Sequence, residues 1–234
     1  MSLQVSFAQP SEALAISTLV SEELLQDRIT RGVMRLPETE SMREMRARNV
    51  ARIIRTDPHA RFIKVCDSDT GRVFGYARWQ VPSSFPQTFS SNHLDGPAGV
   101  EEDVETPEEK AAAMAASITS MDLWNHIMSA LQKKRNKYAD SEKCLILGLL
   151  DVYPNVRGQG AGRKLIEWGL QHADETGSSA YLETAMVLQP LFEKFGWVTV
   201  DEIAIDFDKF DNVSESGIQK WACMLRRPCR TCTD

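Results

Sequence analysis

No apolar run in this 234-residue chain approaches the roughly 18 residues that a membrane-spanning helix needs, which excludes a helical integral membrane protein. The leading stretch, MSLQVSFAQPSEALAI, has neither a basic start nor an uninterrupted apolar core, so no secretory signal is expected there. A basic excess is missing too. Lys and Arg number 27 against 33 Asp and Glu, a net charge of −6, and a general nucleic-acid binder would carry the opposite balance. The five cysteines, Cys66, Cys144, Cys223, Cys229 and Cys232, are odd in number and too sparse for a disulfide framework. Reduced thiols in a cytoplasmic setting are therefore expected. Cys229 and Cys232 form one CxxC pair without a second pair or a histidine partner, and the four histidines are scattered. No metal is expected, and the pair reads as thiols on a loose tail over about 228–234. No repeat or low-complexity linker divides the chain, so one domain is expected over 1–234.

What is present is the composition of a folded globular protein, 42% hydrophobic and 26% charged. Leu3 to Ala8 alternates apolar and polar residues as a short strand does. Ser11 suits the N-cap of a helix carrying Leu14, Ile16, Leu19, Val20 and Leu24 at helical spacing. Pro37 opens a second helical stretch to about Arg55. Eight arginines against three glutamates between Arg28 and Arg55 read as a solvated helix face. Strands are predicted at Arg61–Cys66 and Arg72–Val81, joined by the turn Asp67-Ser68-Asp69-Thr70-Gly71. The segment of about 82–140 then changes character. A Pro/Ser/Gly-rich loop leads to a helix start at Thr106-Pro107-Glu108-Glu109. A further helix over Asp122–Lys137 follows, with Leu123, Ile127 and Leu131 on one face and a basic end suited to a helix C-terminus.

Cys144 to Val152, CLILGLLDV, reads as a central strand buried on both faces. After a turn at Tyr153–Val156 come Arg157-Gly158-Gln159-Gly160-Ala161-Gly162-Arg163 and a helix that stops near Thr176, where Gly177 follows. Ala180–Thr184, Trp197–Phe207 and Lys220–Leu225 read as strands, with a short helix over Gln189–Phe195. The glycines let several backbone N–H groups converge at a helix N-terminus, which makes an anion site. Arg157 and Arg163 could add charge-assisted contacts to phosphate oxygens. Two familiar phosphate loops fail by register. G-x-G-x-x-G needs glycine where Arg163 stands, and a P-loop would put its Ser/Thr on Leu165.

The pattern that fits is Arg157-x-x-Gly160-x-Gly162, and here the sequence resembles the GNAT superfamily of N-acetyltransferases. LLDVYPNVRGQGAGRKLIEWG is similar to that family's strand, turn, pyrophosphate loop and helix; AYLETA and LFEKFGW are similar to the segments that follow. The resemblance implies an α/β (α+β) fold: a mixed, mostly antiparallel central sheet flanked by helices, with a helical insertion between the third and fourth strands. It implies acetyl-CoA as cosubstrate, its pyrophosphate held by backbone N–H groups of Arg157, Gly158, Gln159, Gly160, Ala161, Gly162 and Arg163. Main-chain groups of Leu150 and Val152 would pair with the pantetheine arm, and the helix bearing Phe192 would flank the thioester.

The implied reaction is direct attack of an amine on the thioester. It needs a base for the amine proton, a donor for the oxyanion, and a proton for the leaving thiolate. Asp151 and Glu183, each near the C-terminal end of a central strand, are the candidate bases. The family's tyrosine acid falls on Phe192, which has no proton to give. That departure leaves a non-catalytic acyl-CoA binder of the same fold as the alternative. A small-molecule amine is the expected acceptor, consistent with the negative net charge. No nucleic acid, membrane or metal partner is expected, and a monomer or homodimer is.

Overall fold

The computed structural model describes residues 2–24, 28–35, 39–85 and 117–229. Strands β1 (Leu3–Phe7), β2 (Ala60–Asp67), β3 (Val73–Gln80), β4 (Cys144–Val152), β5 (Ser179–Ala185), β6 (Val198–Asp206) and β7 (Ile218–Arg226) form one sheet in the order β1-β2-β3-β4-β5-β7-β6. Every neighbouring pair is antiparallel except β4 and β5. Helices α1 (Ala13–Leu24), α2 (Arg28–Val33), α3 (Glu40–Thr56), α4 (Met121–Tyr138), α5 (Ala161–Glu175) and α6 (Gln189–Glu193) cover its faces. None of the described helices is long and apolar enough to cross a membrane.

Helix α5 is amphipathic, and its buried stripe Leu165, Ile166, Gly169, Leu170 and Ala173 packs on one face of the sheet against Ala77, Trp79, Leu145, Leu147 and Leu182. The other face is covered in two halves. Helix α4 lays Leu123 and Ile127 on Tyr181, Ile203, Ile205 and Cys223. Helices α1 and α3 lay Ile16, Leu19 and Ile54 on Phe62 and Tyr76. The Asp67–Gly71 turn closes as its composition predicts: Asp67 Oδ1 accepts from the N–H groups of Asp69 and Thr70 at 3.0 and 2.9 Å, and Gly71 takes φ 70°.

Several expectations need correction. Ser11 does not cap α1; a 3-10 turn over Pro10–Glu12 precedes it, started by Gln9, whose N–H donates to the Glu12 carboxylate at 2.8 Å. Leu14 is exposed while Ile16 and Leu19 are fully buried. An extra helix, α2, precedes α3, and α3 is capped by Thr39, whose hydroxyl accepts from the Met42 N–H. The arginines of α2 are not only a solvated face: Arg28 and Arg31 both donate to Glu215 in the β6–β7 connection, at 2.9 and 2.8 Å. Strand β4 is not buried on both faces throughout, since only its first half is covered by protein and Gly148 is exposed. Helix α4 lies between β3 and β4. The helix start at Thr106, Pro37 and Cys232 lie outside the described residues.

The C-terminal end of α5 is tied to β7. Asp174 accepts from both terminal nitrogens of Arg226 at 2.8 Å and from the Cys229 N–H at 2.6 Å. Burial alone would raise the Asp174 carboxyl; Arg226 and the Cys229 N–H outweigh it and hold it below the ordinary 3.8. The stability this gives is complete above the unfolded-state value and is lost as pH falls through the lower native one. Asp174→Asn should therefore lower stability by about 1.5–3 kcal/mol at neutral pH, and the gap to wild type should shrink in melts below pH 4. A gap that stays constant on acidification would show that the ion pair is not its source.

Candidate active site

Strands β4 and β5 pair in parallel only over Cys144–Ile146 with Ser179–Tyr181. Beyond Leu147 they part. The cause lies on the other edge of β4, where Leu147 opposes Trp79 and Leu149 opposes Arg78, so Gly148 is an extra residue. Such a bulge bends the strand and increases its twist, which swings the second half of β4 away from β5. A cleft of about 650 Å³ fills the resulting wedge, a size typical of small-molecule sites. Its walls are Leu147 to Val152 of β4, Leu182 to Thr184 of β5, Ile166 of α5, and Leu188, Leu191, Phe192 and Phe195 around α6.

Arg157, Gly158, Gly160, Ala161, Gly162 and Arg163 close the wide end of the wedge. Gly158 and Gly160 take φ of 76° and 88°, the left-handed region that glycine enters without strain. Gly160 is the N-cap of α5, and no side chain caps the helix there. The first N–H groups of α5 have no intrahelical acceptor and face the cleft, where the helix dipole adds positive potential. Gln159 turns away from the cleft, its amide donating to the Asn155 carbonyl at 3.5 Å. Arg157 Nε donates to the Val152 carbonyl at 3.2 Å, and Arg163 Nε to Glu167 at 2.6 Å along an exposed helix face. The backbone thus turns N–H groups of the helix start toward the cleft, and the two arginines stand at its rim.

The two candidate carboxylates, Asp151 and Glu183, line opposite walls of the same wedge. Asp151 is partly buried and lies across the ladder from Tyr76. Glu183 is bound on both oxygens, by Arg135 Nε and Nη2 at 2.8 Å each, and its side chain is only 6% exposed. The hydrogen bonds with Glu183 push the Arg135 guanidinium up against the effect of its burial. Both Glu183 oxygens are already occupied by Arg135, so Asp151 is the better placed of the two to meet an incoming amine. Burial, with Glu183 next, raises the Tyr181 phenol far above its ordinary value. Phe192 is buried at the cleft wall, edge-on to Trp197 with ring centroids 5.7 Å apart. Among the described residues no three His, Cys, Asp or Glu side chains gather as a metal site.

Arg78 and Arg135 were not legible as site residues. Arg135 reads from sequence as part of a basic helix end, but it reaches the cleft wall through Glu183. Arg78 stands beside the bulge, its Nη2 3.0 Å from where a Cβ on Gly148 would sit. The one signal for it is a charge between Ala77 and Trp79, both fully buried, in a strand with no other charged residue.

A family model described as the acetyltransferase (GNAT) family matches residues 33–197. The fold is shared with solved structures of low sequence identity. A polyamine N-acetyltransferase from Drosophila melanogaster aligns with a TM-score of 0.60 at 14% identity, over 97% of this chain and 100% of that one. A structure from Corynebacterium glutamicum, described as histone acetyltransferase HPA2 and related acetyltransferase, gives 0.55 at 16% identity over 100% of both chains. The acetyltransferase yncA of Salmonella typhimurium, solved with its cofactor acetyl-CoA, gives 0.53 at 11% identity over 100% of this chain and 98% of that one. No curated protein sequence matches the chain.

Proposed function

The chain belongs to the acetyltransferase (GNAT) family, and on that premise we propose that it transfers the acetyl group of acetyl-CoA to the primary amine of a small molecule. The observation that carries this reading is the uncapped N-terminus of α5, entered through two glycines of positive φ at the wide end of the β4–β5 wedge. A diphosphate fits there because it accepts from N–H groups that have no other partner among the described residues. From Leu147 to Val152 the edge of β4 facing β5 pairs with no strand among the described residues and offers backbone groups along the wedge to an extended amide-bearing arm. Leu150 is available for that pairing, whereas the Val152 carbonyl is shared with Arg157. When bound, acetyl-CoA supplies the thioester carbonyl that the amine attacks.

The chain's own groups then have distinct tasks. Asp151 takes the proton that the ammonium must lose, directly or through one water. A β4 N–H at the wedge donates to the oxyanion as it develops. Phe192 lines the cleft beside the thioester and has no proton to give, so the departing thiolate takes its proton from solvent that reaches the open cleft. Helix α4 contributes to the acceptor side through Arg135, which supports a role for the segment between β3 and β4 in acceptor choice.

The test is acetyl transfer across a panel of amines, with acetyl-CoA binding measured alongside. Asp151→Asn should lower kcat roughly 10²–10⁴-fold and leave the acetyl-CoA dissociation constant unchanged. Tight acetyl-CoA binding by wild type with no transfer to any amine would overturn the reading in favour of a non-catalytic binder.

A further inference from the structure

Arg78 is the charge at the wedge that the reaction above does not use. Its strand neighbours Ala77 and Trp79 are fully buried, and its guanidinium lies against Gly148, where β4 bulges and the cleft begins. Three other arginines that are buried or half-buried have acceptors among the described residues. Arg135 donates twice to Glu183, Arg226 twice to Asp174, and Arg61 to the carbonyls of Pro58 and Ala60. Among the described residues Arg78 makes neither a hydrogen bond nor an ion pair. Burial, and then the nearby charge of Arg135, lower its pKa, with only Asp57 pulling the other way. Arg135 cannot relieve it, because it carries the same sign and is committed to Glu183. A half-buried guanidinium with no acceptor among the described residues is placed to hold an anion brought by a ligand, through charge-assisted hydrogen bonds that partial burial strengthens.

The ladder shows which ligand suits it. Arg78 opposes Leu149 and Tyr76 opposes Asp151, with no irregularity between them. Arg78 and Asp151 are therefore diagonal neighbours on one face, about 7–8 Å apart and within reach of each other's long side chains. This is the face opposite α5, the helix whose N-terminus receives the cofactor's diphosphate. The two side chains present a cation and an anion in a fixed order to whatever approaches the wedge from that side. We infer that the acceptor is an amine carrying a carboxylate a few bonds from its nitrogen, an amino acid or a close analogue. Asp151 faces the nitrogen and Arg78 receives the carboxylate through its two-pronged fork. This inference rests on the acetyltransferase reading and narrows it. The net charge of −6 favours cations over the molecule as a whole. At the apex Arg78 sets the opposite local preference, and a second ammonium on the acceptor would meet it without compensation.

The experiment compares acetyl transfer to matched acceptors that differ only in the anion: α-, β- and γ-amino acids against their carboxamides and the corresponding alkylamines. Wild type should prefer the acid over the amide by roughly 10–100-fold in kcat/KM, the effect of a hydrogen bond to a charged group. Arg78→Gln should abolish that preference through KM while leaving the acetyl-CoA dissociation constant unchanged. Arg78→Lys should recover part of it, since it keeps the charge without the fork. Equal use of acids and amides by wild type would overturn the inference even if neither variant folds, and it would leave the acetyltransferase reading standing. A loss in Arg78→Gln that is the same for every acceptor would also overturn it, because Arg78 would then be structural. Transfer to no amine at all would instead sink the parent reading.

Discussion

Gly160→Asp is expected to weaken acetyl-CoA binding roughly a thousandfold while the chain remains folded. Gly160 caps α5 at φ 88°, where backbone N–H groups converge. A Cβ added there would meet only Leu3 Cδ1, at 4.0 Å, so the new side chain has room. The backbone penalty for an L-residue in this region is about 1–2 kcal/mol, and Asp and Asn enter it more readily than other side chains. Against bound acetyl-CoA the Asp carboxylate stands beside a diphosphate, and like charges in contact cost several kcal/mol, roughly a thousandfold in affinity. Gly160→Asn carries nearly the same backbone penalty without the charge, so it separates strain from repulsion. Calorimetric titration with acetyl-CoA, alongside thermal melts, makes the comparison. If the Asp variant folds and binds as wild type does, the diphosphate is not held by this loop.

That loop was legible because everything that makes it is local. Arg157 to Arg163 are contiguous, and the strand before and the helix after carry their own periodic patterns. The wedge the loop closes was not legible. It depends on Gly148 being the odd residue against Arg78 and Trp79, and register between strands distant in sequence is not written in either strand alone. The apolar run of β4 was read as buried on both faces for the same reason. Apolar residues signal only that water is excluded, and Leu149 and Leu150 line a cleft instead of packing wholly under helices. Glu183 and Asp151 were found as strand-end carboxylates. The difference between them comes from Arg135, whose approach depends on how α4 crosses the sheet. Ser11 and Gln9 differ by two positions, within the usual scatter of helix ends.

Gly169→Ala should destabilise the protein by about 1–3 kcal/mol, the usual penalty of overpacking. The sign is the informative part, because the same change within an ordinary helix stabilises by about 0.8–1 kcal/mol through propensity. Gly169 lies mid-helix in α5 on its buried stripe, facing the fully buried Trp79. A Cβ built on it runs into the indole carbons Cε2, Cζ2 and Cδ2 closer than atoms can approach. The ring cannot swing aside freely, since its Nε1 donates to the Leu165 carbonyl at 3.2 Å, one turn earlier on the same helix. Trp79 therefore fixes the distance between α5 and β3, and the N-terminus of that helix is the proposed diphosphate site. The Gly169→Ala variant should accordingly melt earlier and also bind acetyl-CoA more weakly, as the helix is levered off the sheet. Trp79→Phe in the same chain removes part of the ring that the new methyl strikes, so the double variant should recover stability relative to the sum of the single changes. Melts of the four proteins give the coupling. Strict additivity would mean that the helix, not the indole, absorbs the added methyl, and that the α5–β3 spacing is not set by this contact.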